Sequence, residues 1–165
     1  MKIIILSLLI FNTFSYACMT KVKLRFGDIV YAEQVFVGTV EKYEIFDQNG
    51  TQMFDRTESR LGEYAVITFK IEKNISGADE NSTIEVYWSN STFGIPDMLE
   101  EDHYLVSLSG DKQPPLRGPS ATIVSSSRPE LKTLLQAPCS DPFLLEPNEE
   151  NIEKAKKLLD GVGSK

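Results

Sequence analysis

Four stretches of the chain have the apolar, β-branched and aromatic composition of β-strands, and a shorter stretch resembles them. The four cover residues 34–45, 64–72, 83–88 and 102–108. Apolar and polar residues alternate in the later half of 64–72 and again in 83–88, which predicts strands with one buried face. The short apolar stretch 121–124 predicts a fifth strand, and Gly38 predicts a bulge or a bend in the first. Five strands with long loops favour a closed or nearly closed barrel.

Short local signals predict the connections between these strands. The segment 28–33, ahead of the first strand, has the character of a short helix or turn. Asn49-Gly50 is a turn signal within the polar stretch 46–62, which predicts a loop or a loosely paired hairpin. The prolines and glycine of 111–120 predict a stiff extended loop.

Two C-terminal helical segments follow in the prediction. Ser127 and Glu130 have the spacing of a capping box, with Leu131, Leu134 and Leu135 along one side of the predicted helix. The second helix begins near Pro147 and ends at Gly161. Its apolar stripe consists of Ile152, Ala155, Leu158 and Leu159. We expect this stripe to cover a face of the barrel.

The N-terminus has the pattern of a secretory signal peptide. Lys2 precedes the apolar run 3–11, and small residues follow up to Ala17. The run is about half of the roughly 20 residues that a membrane-spanning helix needs. We therefore expect residues 1–17 to be a signal peptide cleaved after Ala17, and the protein to be secreted or periplasmic. A domain over 18–145 and a packed helix over 146–165 would then remain.

Composition and charge narrow the class of function. The 165 residues include 17 Lys and Arg against 24 Asp and Glu, for a net charge of -7. A negative chain is poorly suited to neutralising phosphates, which argues against nucleic acid as the partner. With 41% hydrophobic and 25% charged residues, the chain has the balance of one ordinary globular domain. We expect a monomer.

Cys18 and Cys139 are the only cysteines. In an exported protein, a disulfide between them is the leading hypothesis, and it would immobilise the first residue after cleavage. The rival hypothesis is a lipid on Cys18, as in bacterial lipoproteins, although Ser15 and Tyr16 do not match the usual residues before such a cysteine. Two free thiols are the third alternative.

The titratable residues do not form a recognisable catalytic or metal-binding motif. His103 is the only histidine, and no Gly-x-Ser-x-Gly element accompanies it, so a structural or surface role is favoured over catalysis. The acidic residues 97, 100, 101 and 102 lack the ligand spacing of a calcium loop and indicate a solvated turn. Two cysteines and one histidine fit no structural zinc site. We therefore predict no enzyme activity, no metal of its own and no cofactor.

Four asparagines open glycosylation sequons: Asn49, Asn74, Asn81 and Asn90. They would carry glycans only in a eukaryotic secretory pathway, and in a bacterium they indicate polar loops. The sequence leaves both alternatives open.

Several short blocks together resemble the netrin-like domain of the tissue inhibitors of metalloproteinases and their bacterial relatives. These are a cysteine at the start of the processed chain, 32–40, 64–73, 93–96 with 103–106, and a late 138–140 block. The resemblance covers most of residues 18–145. It implies a fold that is mainly β with flanking helices, built on a five-stranded oligonucleotide/oligosaccharide-binding (OB) type barrel.

The resemblance also implies a set of contact residues. In the inhibitors, the amine and carbonyl of the N-terminal cysteine chelate the zinc of the protease. By position, that role would fall on Cys18, with the Met19 side chain in the specificity pocket and Thr20 beside it. Thr20 stands where the family has a second cysteine.

Two functions from different classes follow as expectations. The first is a secreted or periplasmic, non-enzymatic binding module that binds a protein or an envelope component. The alternative is a metalloprotease inhibitor that acts through the amine and carbonyl of Cys18. An enzyme that uses His103 is a third hypothesis.

Overall fold

A computed structural model describes residues 21–54, 62–77, 81–89, 95–100, 102–117 and 126–161. Several predicted features lie outside these residues: the signal peptide, Cys18, Met19, Thr20, Asn90 and the strand 121–124. The chain is mainly β, with a sheet curled into a half-barrel and a C-terminal helix. The strands in chain order are β1 (Ala32–Phe46), β2 (Gln52–Met53), β3 (Tyr64–Ser76), β4 (Thr83–Ser89), β5 (His103–Ser109), β6 (Lys132–Thr133) and β7 (Leu144–Leu145).

β1 is the central strand of the sheet. It pairs antiparallel with β3 along most of its length and with β5 along its first half. β4 continues the sheet beyond β3, and β2 pairs with the end of β1. The strand predictions for 34–45, 64–72, 83–88 and 102–108 are therefore confirmed. The segment Phe26–Tyr31 ahead of β1 is a 3-10 helix, as its composition indicated.

Gly38 lies at a register shift between β1 and β3, which confirms the predicted irregularity. A Cβ atom at this position would lie 2.7 Å from the Lys70 carbonyl oxygen and 3.0 Å from the Phe36 ring. Only a glycine lets the two strands approach so closely as the sheet curls.

The helix predicted from Ser127 and Glu130 is wrong. This part of the chain is extended: β6 pairs in parallel with β4, and the next two amides bond across to neighbouring strands. The Leu134 amide donates to the Tyr87 carbonyl at 2.9 Å, and the Leu135 amide donates to the Ser107 carbonyl at 2.8 Å. The Glu130 carboxylate pairs with Arg128 rather than completing a capping box.

Packing explains why the extended form prevails over the capping signal. Leu134 lies in one buried cluster and Leu135 in another, on opposite sides of the segment. Consecutive residues of a strand point to opposite faces, whereas a helix would place both leucines on one side. The extended segment therefore fills both clusters and satisfies strand carbonyls at the same time.

Two main hydrophobic clusters lie on the two faces of the sheet. The first lies on one face and consists of Phe36, Val40, Ile45, Ala65, Ile67, Phe69, Val86, Trp88, Ile95, Val106, Leu108 and Leu134. The second lies beneath the helix and consists of Ile29, Val35, Val37, Leu105, Leu135, Phe143 and Ala155. Trp88 and Tyr87 point to opposite faces, and Tyr87 packs against Tyr64 with ring centroids 5.2 Å apart.

The second predicted helix is confirmed as α1 (Glu149–Asp160). Asn148 caps it by accepting a hydrogen bond from the Asn151 amide at 2.9 Å, and Gly161 follows its last turn. The predicted stripe packs on the second cluster, with Ala155 fully buried. Within the described ranges, no helix has the length and apolar character needed to cross a membrane.

Candidate functional site

The start of the described chain is attached to the region of Cys139. The Val22 amide donates to the Cys139 carbonyl at 2.8 Å, and Val22 forms a parallel bridge with Ser140. Next to it, the Lys21 ammonium lies 2.5 Å from the Asp141 carboxylate. We call residues 21–26 together with 139–141 the N-terminal edge. It lies directly after the predicted contact residues Cys18, Met19 and Thr20, which are outside the described residues.

Cys139 occupies a constrained position at this edge. Cys139 is 4% exposed and has a φ of 66°, a conformation uncommon for any residue other than glycine. The adjacent Ser140 hydroxyl donates to the Ala137 carbonyl at 2.9 Å, which holds the turn. No free cysteine thiol occurs in the described part of the chain.

The lead segment 21–26 alternates between exposed cationic side chains and half-buried apolar ones. Lys21, Lys23 and Arg25 are exposed, whereas Val22, Leu24 and Phe26 are half-buried. Phe26 meets Phe143 edge to face, with centroids 6.1 Å apart, and the Lys154 ammonium lies 4.5 Å from the Phe26 ring centre. The segment is therefore held along the surface by its apolar side chains.

His103, the only histidine, lies exposed at the start of β5 in a polar cluster with Glu72 and Thr39. Its Nδ1 atom is 3.0 Å from Glu72 Oε2, and the Thr39 hydroxyl donates to Glu72 Oε1 at 2.5 Å. The hydroxyl thus donates to the carboxylate and not to the imidazole. This arrangement stabilises the charged carboxylate but does not prepare the hydroxyl as a nucleophile.

The same contacts predict a pH dependence of stability. The Thr39 hydrogen bond, followed by His103, lowers the pKa of Glu72 from its ordinary value of 4.5. A group with a lowered pKa in the folded state contributes stability above its ordinary pKa and loses it as the pH falls. We expect Glu72→Gln to reduce stability near pH 6, and we expect this deficit to shrink as the pH falls below 4.5, as judged by urea midpoints. Glu85→Gln, which removes another exposed carboxylate, is the control. A deficit for Glu72→Gln that stays constant as the pH falls below 4.5 would contradict the prediction.

The acidic loop before β5 lies at the surface. Asp97, Glu100 and Asp102 are exposed, and Glu101 is outside the described residues. Among the residues that the structure describes, no group of three or more acidic, histidine or cysteine side chains is arranged to hold a metal ion.

Three of the four sequon asparagines are described, and all three are exposed: Asn49, Asn74 and Asn81. The Asn49 amide donates to the Asp47 carboxylate at 2.8 Å, and Gly50 has a φ of 82°. The predicted turn at Asn49-Gly50 is confirmed.

One buried ion pair was not predicted from the sequence. The Asp28 carboxylate is buried under the Arg117 guanidinium, and one of their two hydrogen bonds measures 2.6 Å. The two residues are 89 positions apart, so no local pattern signals the pair. The contact raises the pKa of Arg117 and joins the 111–117 segment to the 3-10 helix.

Comparison of the chain with protein-family models and with curated proteins found no match.

Proposed function

We propose that the protein is an exported, non-enzymatic module that binds a protein or an envelope component through its N-terminal edge. The observation that carries this proposal is the pairing of Val22 with Cys139 and Ser140. It holds the lead segment extended at the surface, directly after the residues that would begin the processed chain. A surface that is ordered before binding loses less conformational entropy when a partner attaches.

We propose that the sheet is a five-stranded barrel of the OB type. Two contacts support this. β6 pairs in parallel with β4, and Leu134, directly after β6, bridges to Leu108 of β5. β7 pairs with β5 at Leu105 and Val106, and the bridge at Leu108 lies further along the same strand. β6 and Leu134 therefore link β4 to β5, as closure of a barrel from β1, β3, β4, β5 and β6 requires. The closing strand would then be 132–134, not the predicted 121–124.

We propose that a disulfide between Cys18 and Cys139, here called the staple, joins the two ends of the module. Cys18 precedes Val22 by four positions, a length that spans at most about 14 Å when extended. Val22 itself bonds to Cys139, so the second sulfur lies within reach. Because the bridge closes almost the whole domain, the chain-entropy model allows it roughly 4 to 5 kcal/mol of stabilisation. A lipid on Cys18 is the competing proposal.

Intact mass of the exported protein, with and without reductant, tests export and the staple together. We expect a chain that begins at Cys18 and gains the mass of two hydrogens on reduction. Cys139→Ser, measured in parallel, should gain no such mass from an intramolecular bridge. Free thiols in the unreduced wild type would contradict the disulfide, and a diacylglycerol mass on the first residue would favour the lipid anchor.

Metalloprotease inhibition is the second candidate function, and the fixed lead segment favours it too. In this proposal the amine and carbonyl of Cys18 occupy the open coordination position of the protease zinc. Met19 then fills an apolar pocket, and Thr20 contacts its rim. Chelation needs a free and rigid N-terminus, which the N-terminal edge together with the staple would supply.

A single added residue separates the two functions. One alanine before Cys18 displaces the chelating amine, so inhibition of a zinc metalloprotease should be abolished. One alanine after Lys165 is the matched control and should leave inhibition unchanged. Absence of inhibition by the unmodified protein excludes the inhibitor proposal and leaves the binding module. Inhibition that survives the N-terminal alanine would place the contact elsewhere.

A further inference from the structure

An open groove of about 470 Å³ lies between β1 and the loop before β5. One wall is formed by Val40–Tyr43 of β1, and the other by residues 97–100 of the loop. Two contacts hold the walls in place. The Tyr43 hydroxyl donates to the Pro96 carbonyl at 2.7 Å, and the Val40 amide donates to the Asp102 carbonyl at 3.3 Å. The groove is therefore part of the folded sheet and its volume is typical of ligand sites.

The groove combines apolar surface with negative charge. Met98 is 77% exposed, one of three large hydrophobic side chains that are strongly exposed in the described part of the chain. Leu99 and Tyr43 are half-buried and pack on the first hydrophobic cluster. An exposed apolar side chain beside partly covered ones gives a partner a place to bury a side chain of its own.

Carboxylates dominate the charge of the rim. Glu41 and Glu100 are exposed at the groove, and Asp97 also lines it. The one cation of the lining, Lys42, has its ammonium 2.9 Å from the Glu44 carboxylate. Burial, and then the charges of Glu100 and Asp102, raise the pKa of the nearby Tyr104, as expected in a negative potential.

We infer that this groove binds a segment of a partner protein in which a lysine or arginine stands next to an apolar side chain. The apolar side chain would pack on Met98 and Leu99, and the cation would meet Glu41 and Glu100. Charge complementarity selects this occupant, because an acidic or neutral segment gains nothing from the rim carboxylates. The inference rests on the proposed binding function and names the chemistry of a second contact of that partner.

Peptide titration of the isotope-labelled processed protein tests the inference by NMR. The probe is a short synthetic peptide with one lysine flanked by leucines, and the matched peptide carries norleucine in place of lysine. We expect the lysine peptide to shift the amide signals of 40–43 and 97–100, and to bind more weakly as salt is raised. Equal binding of the norleucine peptide, shifts confined to other residues, or no shifts would each overturn the inference.

Groove variants identify the contacts. Glu41→Gln combined with Glu100→Gln should weaken the lysine peptide about fivefold and leave the norleucine peptide unchanged. Glu85→Gln combined with Glu150→Gln makes the same change in net charge outside the groove and should have no effect. Equal weakening by both pairs would show that the attraction depends on net charge alone, and it would overturn the assigned site.

The apolar contact has its own matched pair. Met98→Ser should weaken both peptides about tenfold, because it removes apolar surface that the peptide would bury. Leu116→Ser, at a large hydrophobic that is 54% exposed and outside the groove, should leave both unchanged. Unaltered binding by Met98→Ser would overturn the apolar half of the inference. These experiments leave Cys18 intact, so a groove without affinity for the peptide is distinguishable from failure of the N-terminal edge.

Discussion

Replacing Arg117 with alanine is expected to lower the free energy of unfolding by about 3 kcal/mol. The loss is large because the Asp28 side chain, only 5% exposed, would be left buried without its cation. Chemical denaturation at neutral pH measures the effect. Lys132→Ala is the matched control, since its partner Glu33 is half-exposed, and it should cost under about 1 kcal/mol.

The double variant separates loss of the pair from loss of the arginine side chain. With Asp28→Ala and Arg117→Ala combined, no charge is left buried without a partner, so the loss should be smaller than the sum of the two single losses. Additive losses would show that the two side chains stabilise the fold independently.

Gly38→Ala is expected to lower the free energy of unfolding by about 2 to 3 kcal/mol. The added methyl group would overlap the Lys70 carbonyl oxygen, and backbone cannot rotate away as a side-chain end can. Thermal or urea unfolding measures the loss. Gly27→Ala is the matched control, because a Cβ there meets no atom within 4 Å, and its effect should stay within about 0.5 kcal/mol. Equal effects at the two glycines would contradict the steric explanation.

Strands and the last helix were predictable because their signals are local. Alternation in Tyr64–Ser76 and Thr83–Ser89 signalled strands, and the stripe of Glu149–Asp160 signalled a helix on an apolar surface. The prediction of one buried face is wrong for part of each strand, because Tyr64–Ile67 and Val86–Trp88 are buried on both faces. Gly38 predicted an irregularity in β1, although only the structure shows the Lys70 carbonyl that requires a glycine there. Its place in the sheet depends on the approach of β3, which lies about thirty positions later.

The candidate site was predictable only in part. A disulfide from Cys139 to Cys18 was predicted from the two cysteines and the expected export, and the structure adds that Val22 bonds to Cys139. The groove could not be predicted from the sequence, because its two walls, Val40–Tyr43 and 97–100, are more than fifty positions apart and neither stretch carries a motif. Asp28 and Arg117 were inconspicuous for the same reason.

The sequence by itself determined the β character of the chain, its C-terminal helix and its negative charge. The charge follows directly from composition, and the strands and the helix are signalled by periodicity over a few neighbouring residues. Tertiary structure alone decided the segment 127–135. There a capping signal worth about 1 kcal/mol opposed the burial of two leucines in two separate clusters and the pairing of backbone groups with β4 and β5. Long-range packing outweighs a local preference of that size, so the chain at this point is extended.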